Sequence, residues 1–173
     1  FQQAGIPQVS FVPFVKADFE KSPEAIFTRI EGTLRYPVFV KPANMGSSVG
    51  ISKATNREEL TAAIEEALKY DRRIVVEQGI DAREVEVAVL GNDEVNTSVV
   101  GEVVKQAGFY DYNEKYINNT TTLQIPAAIP EEVSAKIREY AVTAFRAIDG
   151  SGLTRCDFFL TETNEVFINE VNT

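Results

Sequence analysis

The residues best equipped for chemistry lie near the end of the chain. Arg155-Cys156-Asp157 falls in one apolar-rich stretch and Asn169-Glu170-Val171-Asn172 in the next, with Thr163-Asn164 between them. A hairpin turning symmetrically about Thr163-Asn164 would pair Asp157 with Glu170, Arg155 with Asn172 and Phe159 with Ile168. Because strand side chains alternate faces, Arg155, Asp157, Phe159, Ile168, Glu170 and Asn172 are expected on one face. The other face, carrying Cys156, Phe158, Leu160, Phe167, Asn169 and Val171, reads largely as core. Facing residues have Cβ atoms ~4.5–5.5 Å apart, so two opposed carboxylates repel unless a cation intervenes. Mg²⁺ or Mn²⁺ suits the position, being hard, oxygen-seeking and often held by one or two carboxylates plus phosphates. Asn172 adds a neutral oxygen, and Arg155 a fixed positive charge able to stabilise developing negative charge. The competing explanation is an ion network on a solvated sheet face, and a one-residue slip would scatter the cluster.

A second group surrounds Gly46-Ser47-Ser48-Val49-Gly50, which follows Lys41 at the end of a short buried strand. Backbone N–H groups of a glycine-rich turn can cradle phosphate oxygens, with serine hydroxyls as further donors. The segment lacks the Gly-Lys-Ser/Thr of a Walker A loop. It matches the nucleophile-elbow pattern Gly46-x-Ser48-x-Gly50, but the chain has no histidine to activate the serine. An ordinary turn and a solvated lysine remain the plain alternative. Glu77 and Glu84 flank a connector, Gln78 to Arg83, that can offer backbone groups to a nucleobase and a carboxylate to a ribose, or simply expose two acids. Phe109, Tyr110, Tyr112 and Tyr116 cluster in a long stretch, 106–128, where loop packing is the default explanation. Cys156 reads as a small buried apolar residue.

These groups need a scaffold. Residues 1–21 read as extended, and Ser22-Pro23-Glu24 opens a helix to about Gly32. Tyr36–Lys41 and Ile51–Ala54 read as strands. Asn56 with Glu59 signals the start of a helix to about Lys69, with Leu60, Ala63, Ile64, Ala67 and Leu68 on one side. Ile74–Gln78 is a further strand. Val85, Val87 and Val89 alternate with Glu84, Glu86 and Ala88, a strand with one buried face, partnered by a strand over about Val95–Val104. Pro130-Glu131-Glu132 opens a helix to about Ile148 with Val133, Ile137, Ala141, Ala144 and Phe145 inward, before the final hairpin. The fold class is therefore α+β with mostly antiparallel sheets, in two lobes that divide near residues 80–90.

Composition bounds the rest. The 173 residues include 26 acidic and 17 basic side chains, one cysteine and no histidine. That excludes a Ser-His-Asp triad, a histidine metal site and an internal disulfide within the chain. No apolar run approaches the ~18–20 residues that span a bilayer, and the acidic balance argues against duplex nucleic acid as the main partner. Phe1-Gln2-Gln3-Ala4 carries neither a methionine nor a signal-peptide pattern, so the sequence is expected to be an excerpt from a longer cytoplasmic protein.

Taken in order, Phe39-Val40-Lys41-Pro42, Gly46–Gly50, Val76-Glu77-Gln78-Gly79, Arg83–Gly91, Phe109-Tyr110-Asp111-Tyr112, Lys115-Tyr116, Arg155-Cys156-Asp157 and Asn169–Thr173 closely resemble the bacterial D-alanine–D-alanine ligases of the ATP-grasp superfamily. The resemblance implies an ATP-grasp fold: a small subdomain over 1–84 and a larger one over 85–173, two α+β lobes holding ATP between them. It implies that Lys41 and Lys115 contact ATP phosphates and that Ser47 and Ser48 form a phosphate-covering loop. Glu77 and the backbone of Gln78, Gly79 and Ile80 would hold adenine, Glu84 the ribose, with Phe159 among the nucleotide contacts. Asp157, Glu170 and Asn172 match ligands of two Mg²⁺ or Mn²⁺ ions, and Arg155 matches the arginine that stabilises the tetrahedral intermediate. Tyr116, with Ser47 and Glu84, matches a group that favours an amine as second substrate.

The implied reaction joins two D-alanine molecules through an acyl phosphate, for peptidoglycan synthesis. The implied protein is a cytoplasmic homodimer with no nucleic-acid or membrane partner. The family's N-terminal domain, an upstream ATP-contacting lysine and a Met-Pro-Gly segment expected after Thr173 lie outside this sequence, and Asn113-Glu114 departs from the family's frequent Glu-Ala. The alternatives are another ATP-grasp carboxylate–amine ligase, one forming D-alanyl-D-lactate for instance, and a non-catalytic nucleotide-binding module.

Overall fold

The structure is a computed structural model describing residues 1–46, 48–104 and 122–173. The chain forms two compact units. One is Ser10–Ile80; the other joins Phe1–Val9 to the described residues from Asp81 to Thr173.

In the Ser10–Ile80 unit, strand β1 (Phe11–Val15) is followed by helices α1 (Lys16–Lys21) and α2 (Pro23–Thr33). Then come β2 (Val38–Pro42), β3 (Ser52–Ala54), α3 (Arg57–Ala67) and β4 (Arg73–Gln78). The strands pair antiparallel in the order β1-β4-β2-β3. Alternation buries Val12, Phe14, Val38, Val40, Ile74 and Val76 in one core with Ile26, Phe27 and Ile30 of α2 and Leu60, Ala63, Ile64 and Ala67 of α3. The opposite face carries Phe39, Lys41, Val75 and Glu77.

Local chemistry fixes the helices. The Asn56 side chain accepts the Glu59 N–H at 3.0 Å, while the Glu59 carboxylate reaches back to the Thr55 N–H at 2.7 Å, one residue beyond the usual capping box. That bond is the main reason the Glu59 carboxyl sits below its ordinary range. Residues 16–21, expected to be extended, are instead helical. Phe19 packs its ring 5.8 Å from Phe14 and 5.6 Å from Phe27, a contact that a continuing strand would carry away from the core.

In the other unit, β5 (Arg83–Gly91), β6 (Val95–Thr97), β7 (Gly101–Val104) and β8 (Thr122–Gln124) precede helix α4 (Glu131–Ala147), and β9 (Gly152–Leu160) and β10 (Val166–Asn172) follow it. These six described strands run β10-β9-β5-β7-β8, with β6 also on β5, and every pair is antiparallel. Helix α4 buries all five expected inward residues among Val85, Val87, Val89, Cys156, Phe158, Leu160, Val166 and Ile168. Cys156 is core, and burial pushes its thiol up to about 11. The expected single strand over 95–104 is two strands broken at Ser98, whose hydroxyl accepts the Ala88 N–H and whose own N–H donates to Ala88 O. Phe1–Val9 joins this unit because Ile6 enters its core and Pro7 O accepts the Ile168 N–H at 2.9 Å. Among the described residues no helix is long and apolar enough to cross a membrane.

Candidate functional site

The face of the larger sheet opposite α4 is built by alternation. While Val85, Val87, Cys156 and Phe158 point to the core, Glu84, Glu86 and Ala88 on β5 and Arg155, Asp157 and Phe159 on β9 face the other way. The register then lays out three rows across β5, β9 and β10. They are Glu84–Phe159–Phe167, Glu86–Asp157–Glu170 and Ala88–Arg155–Asn172. Asp157 lies opposite Glu170 and Arg155 opposite Asn172, as the hairpin argument expected.

One expectation fails. Phe159 pairs with Phe167, not Ile168, because a β-bulge at Asn169 shifts the register between Ile168 and Glu170. Val166 and Ile168 therefore turn into the core opposite Leu160 and Phe158, and Phe167 takes the open face assigned to Ile168. The bulge lets an apolar pair and a polar pair of the same parity face opposite ways.

Arg155 organises the charges. Its Nε donates to Asp157 Oδ1 at 2.7 Å and its Nη2 to Asp157 Oδ2 at 2.8 Å, a bidentate pair. Asn172 Nδ2 donates to the same Oδ2 at 3.1 Å. Glu86 Oε2 lies 3.4 Å from Arg155 Nε. The hydrogen-bonded Asp157 carboxylate, aided by the charges of Glu86 and Glu170, drives the guanidinium pKa upward against the opposing effect of burial. Burial, with the negative charge of Asp157 adding to it, raises the Glu86 carboxyl, and Arg155 partly offsets this. Glu86 was not singled out from the sequence. Its even spacing from Glu84 placed it on the open face, but nothing in one strand's pattern says that β9, and not another strand, lies beside it.

Among the described residues no three acidic or cysteine side chains converge closely enough to hold a metal alone. The donor set nonetheless fits a hard divalent ion that completes its shell with phosphate oxygens: two directly opposed carboxylates and the amide oxygen of Asn172, whose nitrogen is the atom turned to Asp157. Such an ion would compete with Arg155 for the Asp157 oxygens.

In the Ser10–Ile80 unit, Lys41 and Glu77 stand diagonally across the β2–β4 ladder, and Lys41 Nζ meets Glu77 Oε2 at 2.5 Å. Both side chains are about four-fifths covered, at 20% and 19% exposure, so neither is a loosely solvated charge. The Gln78 side chain is engaged locally: its amide nitrogen donates to Arg35 O and Pro37 O, and its oxygen accepts the Arg35 N–H. The Gln78 and Gly79 N–H groups bond to Ser10 O and Pro37 O. The Gly79 backbone runs so close to Pro37 that a Cβ would sit 2.6 Å from its carbonyl oxygen. Ser48 adopts φ 61° in the turn after Gly46, and Gly50 φ 72°, packed against Tyr70 and Pro42. Asp71 anchors the start of this turn, its Oδ2 accepting from both Asn44 nitrogens at 3.0 and 2.7 Å.

Lys41, Ser48, Glu77, Gln78, Gly79 and Ile80 thus lie in one unit, and Glu84, Arg155, Asp157, Phe159, Glu170 and Asn172 in the other. Ser47, Lys115, Tyr116 and the aromatic cluster from Phe109 lie outside the described residues.

Residues 1–173 match the family model described as D-ala D-ala ligase C-terminus. The D-alanine--D-alanine ligase of Enterococcus faecalis is 62% identical over 172 residues, covering 99% of this chain and 49% of the relative. That of Enterococcus gallinarum is 59% identical, covering 99% and 54%. Among solved structures, the VanG D-Ala:D-Ser ligase from Enterococcus faecalis superposes with a TM-score of 0.88 at 41% identity, covering 99% of this chain and 49% of that one. The D-alanine-D-alanine ligase from Coxiella burnetii gives 0.81 at 33%, covering 99% and 44%. The chain spans about half the length of the curated relatives it matches.

Proposed function

Because the chain belongs to the D-ala D-ala ligase C-terminus family and shares its ATP-grasp fold, we propose that the full-length protein is an ATP-dependent ligase that joins two D-alanine molecules into D-alanyl-D-alanine for the cell wall. It works in the cytoplasm as a homodimer. One D-alanine carboxylate attacks the γ-phosphorus of ATP, ADP leaves, and an acyl phosphate forms. The amine of the second D-alanine then attacks the acyl carbon; phosphate departs with the C–O bonding pair and the amine loses a proton.

The work assigned to this chain is mostly charge handling. Lys41 and Lys115 neutralise phosphate oxygens, with Ser47 and Ser48 covering them. Glu77 and the connector backbone receive the base. The Gln78 and Gly79 N–H groups are already bonded, so the Ile80 N–H is the donor in that run for a ring nitrogen. Glu84 takes the ribose hydroxyls and Phe159 lies against the nucleotide. Asp157, Glu170 and Asn172 hold Mg²⁺ or Mn²⁺, two ions, which when bound offset phosphate charge and make the γ-phosphorus more electrophilic. Arg155 stabilises the oxyanion of the tetrahedral intermediate, since it stays charged at every working pH. Tyr116, outside the described residues, is assigned the preference for an amine over a hydroxyl. Exclusion of water protects the acyl phosphate.

The observation that most supports this reading is the shared open face on which Asp157 meets Glu170 and Arg155 meets Asn172. A second reading, D-alanyl-D-serine formation, has the VanG structural neighbour in its favour. Product analysis with full-length protein, Mg-ATP and D-alanine, alone or with D-serine or D-lactate, separates them. D-alanyl-D-alanine as the main product supports the first reading, a mixed D-alanyl-D-serine product the second, and phosphate release indifferent to every D-amino acid neither.

A further inference from the structure

Glu86 occupies a place that the reaction scheme above leaves without a task. It sits on β5 directly opposite Asp157, on the side away from Glu170, so that Asp157 is flanked by one carboxylate on each neighbouring strand. Its side chain is 23% exposed, against 48% for Arg155, and its Oε2 lies 3.4 Å from Arg155 Nε. The same Nε donates to Asp157 Oδ1 at 2.7 Å. Arg155 is therefore held between two carboxylates, tightly by Asp157 and more loosely by Glu86.

That asymmetry conflicts with the use proposed for Asp157. Arg155 and Asn172 together place three donors on the two Asp157 oxygens. A carboxylate has about four acceptor sites in all, and a divalent ion bound there would compete for them while repelling the guanidinium. With about one acceptor site left over, an ion on either oxygen weakens the bidentate pair chiefly by repelling the guanidinium. Arginine keeps its charge and its five-donor fork, so it needs another acceptor if it is to stay on this face. Glu86 is the neighbouring carboxylate of Arg155 that the scheme does not assign to the metal.

Building on the ligase reading, we propose that Glu86 is a positioning residue for Arg155, retaining its guanidinium on the open face of β9 when Asp157 turns to the metal. Glu86 touches neither substrate nor metal in this account. Its effect is on where Arg155 stands when the tetrahedral intermediate forms.

The test uses the full-length protein, with wild-type D-alanine-dependent phosphate release measured first. Glu86→Ala should lower kcat about tenfold, as expected when a catalytic group is misplaced, while the KM for ATP and the Mn²⁺ affinity measured by electron paramagnetic resonance with ADP stay within about twofold. Glu86→Gln, whose amide oxygen still accepts from Nε, should recover part of the loss. In an Arg155→Lys background Glu86→Ala should change kcat by less than about twofold, because residues that act through one another are not additive. Three results each overturn the inference: kcat of Glu86→Ala near wild type, Mn²⁺ affinity falling in step with kcat, or an undiminished effect in the Arg155→Lys background. A wild-type protein that folds and binds ATP without D-alanine-dependent turnover would instead remove the ligase reading beneath it.

Discussion

The guanidinium of Arg155 holds both oxygens of Asp157, at 2.7 and 2.8 Å, across two positions of a single strand. Strand periodicity puts the two on one face, and the Asn172 amide closes over the same carboxylate. The roles proposed for these residues are separate, one toward the metal and one toward the developing oxyanion. In the structure they form one ion pair.

If Asp157 is a metal ligand, Asp157→Asn should weaken Mn²⁺ binding in the presence of ADP at least about tenfold, the range seen when metal sites lose a supporting carboxylate. Titration followed by electron paramagnetic resonance checks this. Unchanged affinity would reassign Asp157 to holding Arg155 alone.

Gly79 is required by space. A Cβ there meets Pro37 O at 2.6 Å and the Pro37 ring carbon at 3.2 Å, and the Gly79 N–H bonds that same carbonyl. Gly79→Ala must push the connector off Pro37, at a cost of about 1–3 kcal/mol for overpacking against backbone. Urea unfolding measures the loss, and the KM for ATP should rise with it if this backbone receives adenine.

The Arg83–Glu102 pair predicts a pH dependence of stability. Arg83 Nε donates to Glu102 Oε1 at 2.7 Å and its Nη2 to Oε2 at 2.5 Å; the Glu102 side chain is only 11% exposed. The hydrogen bonds from Arg83 lower the Glu102 carboxyl below its ordinary 4.5, more than burial raises it. A lowered folded pKa stabilises the protein above the unfolded value, and that contribution is lost as pH falls through the folded value. Glu102→Gln should therefore be less stable than wild type at pH 7. The gap between the two should close as pH drops below about 4.5. Chemical denaturation from pH 7 to pH 3 tests it, and a gap that stays constant would deny the pair this role.

Much of the layout of the candidate site could be read from the sequence because it is local. Asp157, Arg155, Glu170 and Asn172 follow from strand alternation and one turn, both properties of neighbouring residues. The Asn169 bulge was legible in principle: Val166 and Ile168 share parity with Glu170 and Asn172, and no unbroken strand can bury the first two while exposing the others. Glu86 was not legible as a partner of Asp157, because β5 lying beside β9 is a non-local pairing that no spacing encodes. Nor was the burial of Ile6, whose segment resembles the extended residues after it but packs with a core built from residues far along the chain. Helix α1 turns on Phe19, a lone aromatic whose partners Phe14 and Phe27 come from different elements.

In the proposed mechanism Arg155 acts on the intermediate and not on nucleotide binding. Turnover and ATP affinity, determined side by side for Arg155→Ala in the full-length protein, separate the two. A kcat lower by about 10²–10³ or more is expected, the loss typical of an oxyanion-stabilising donor, with ATP affinity within about threefold of wild type. Equal loss of turnover and nucleotide affinity, or turnover that survives the substitution, would contradict it.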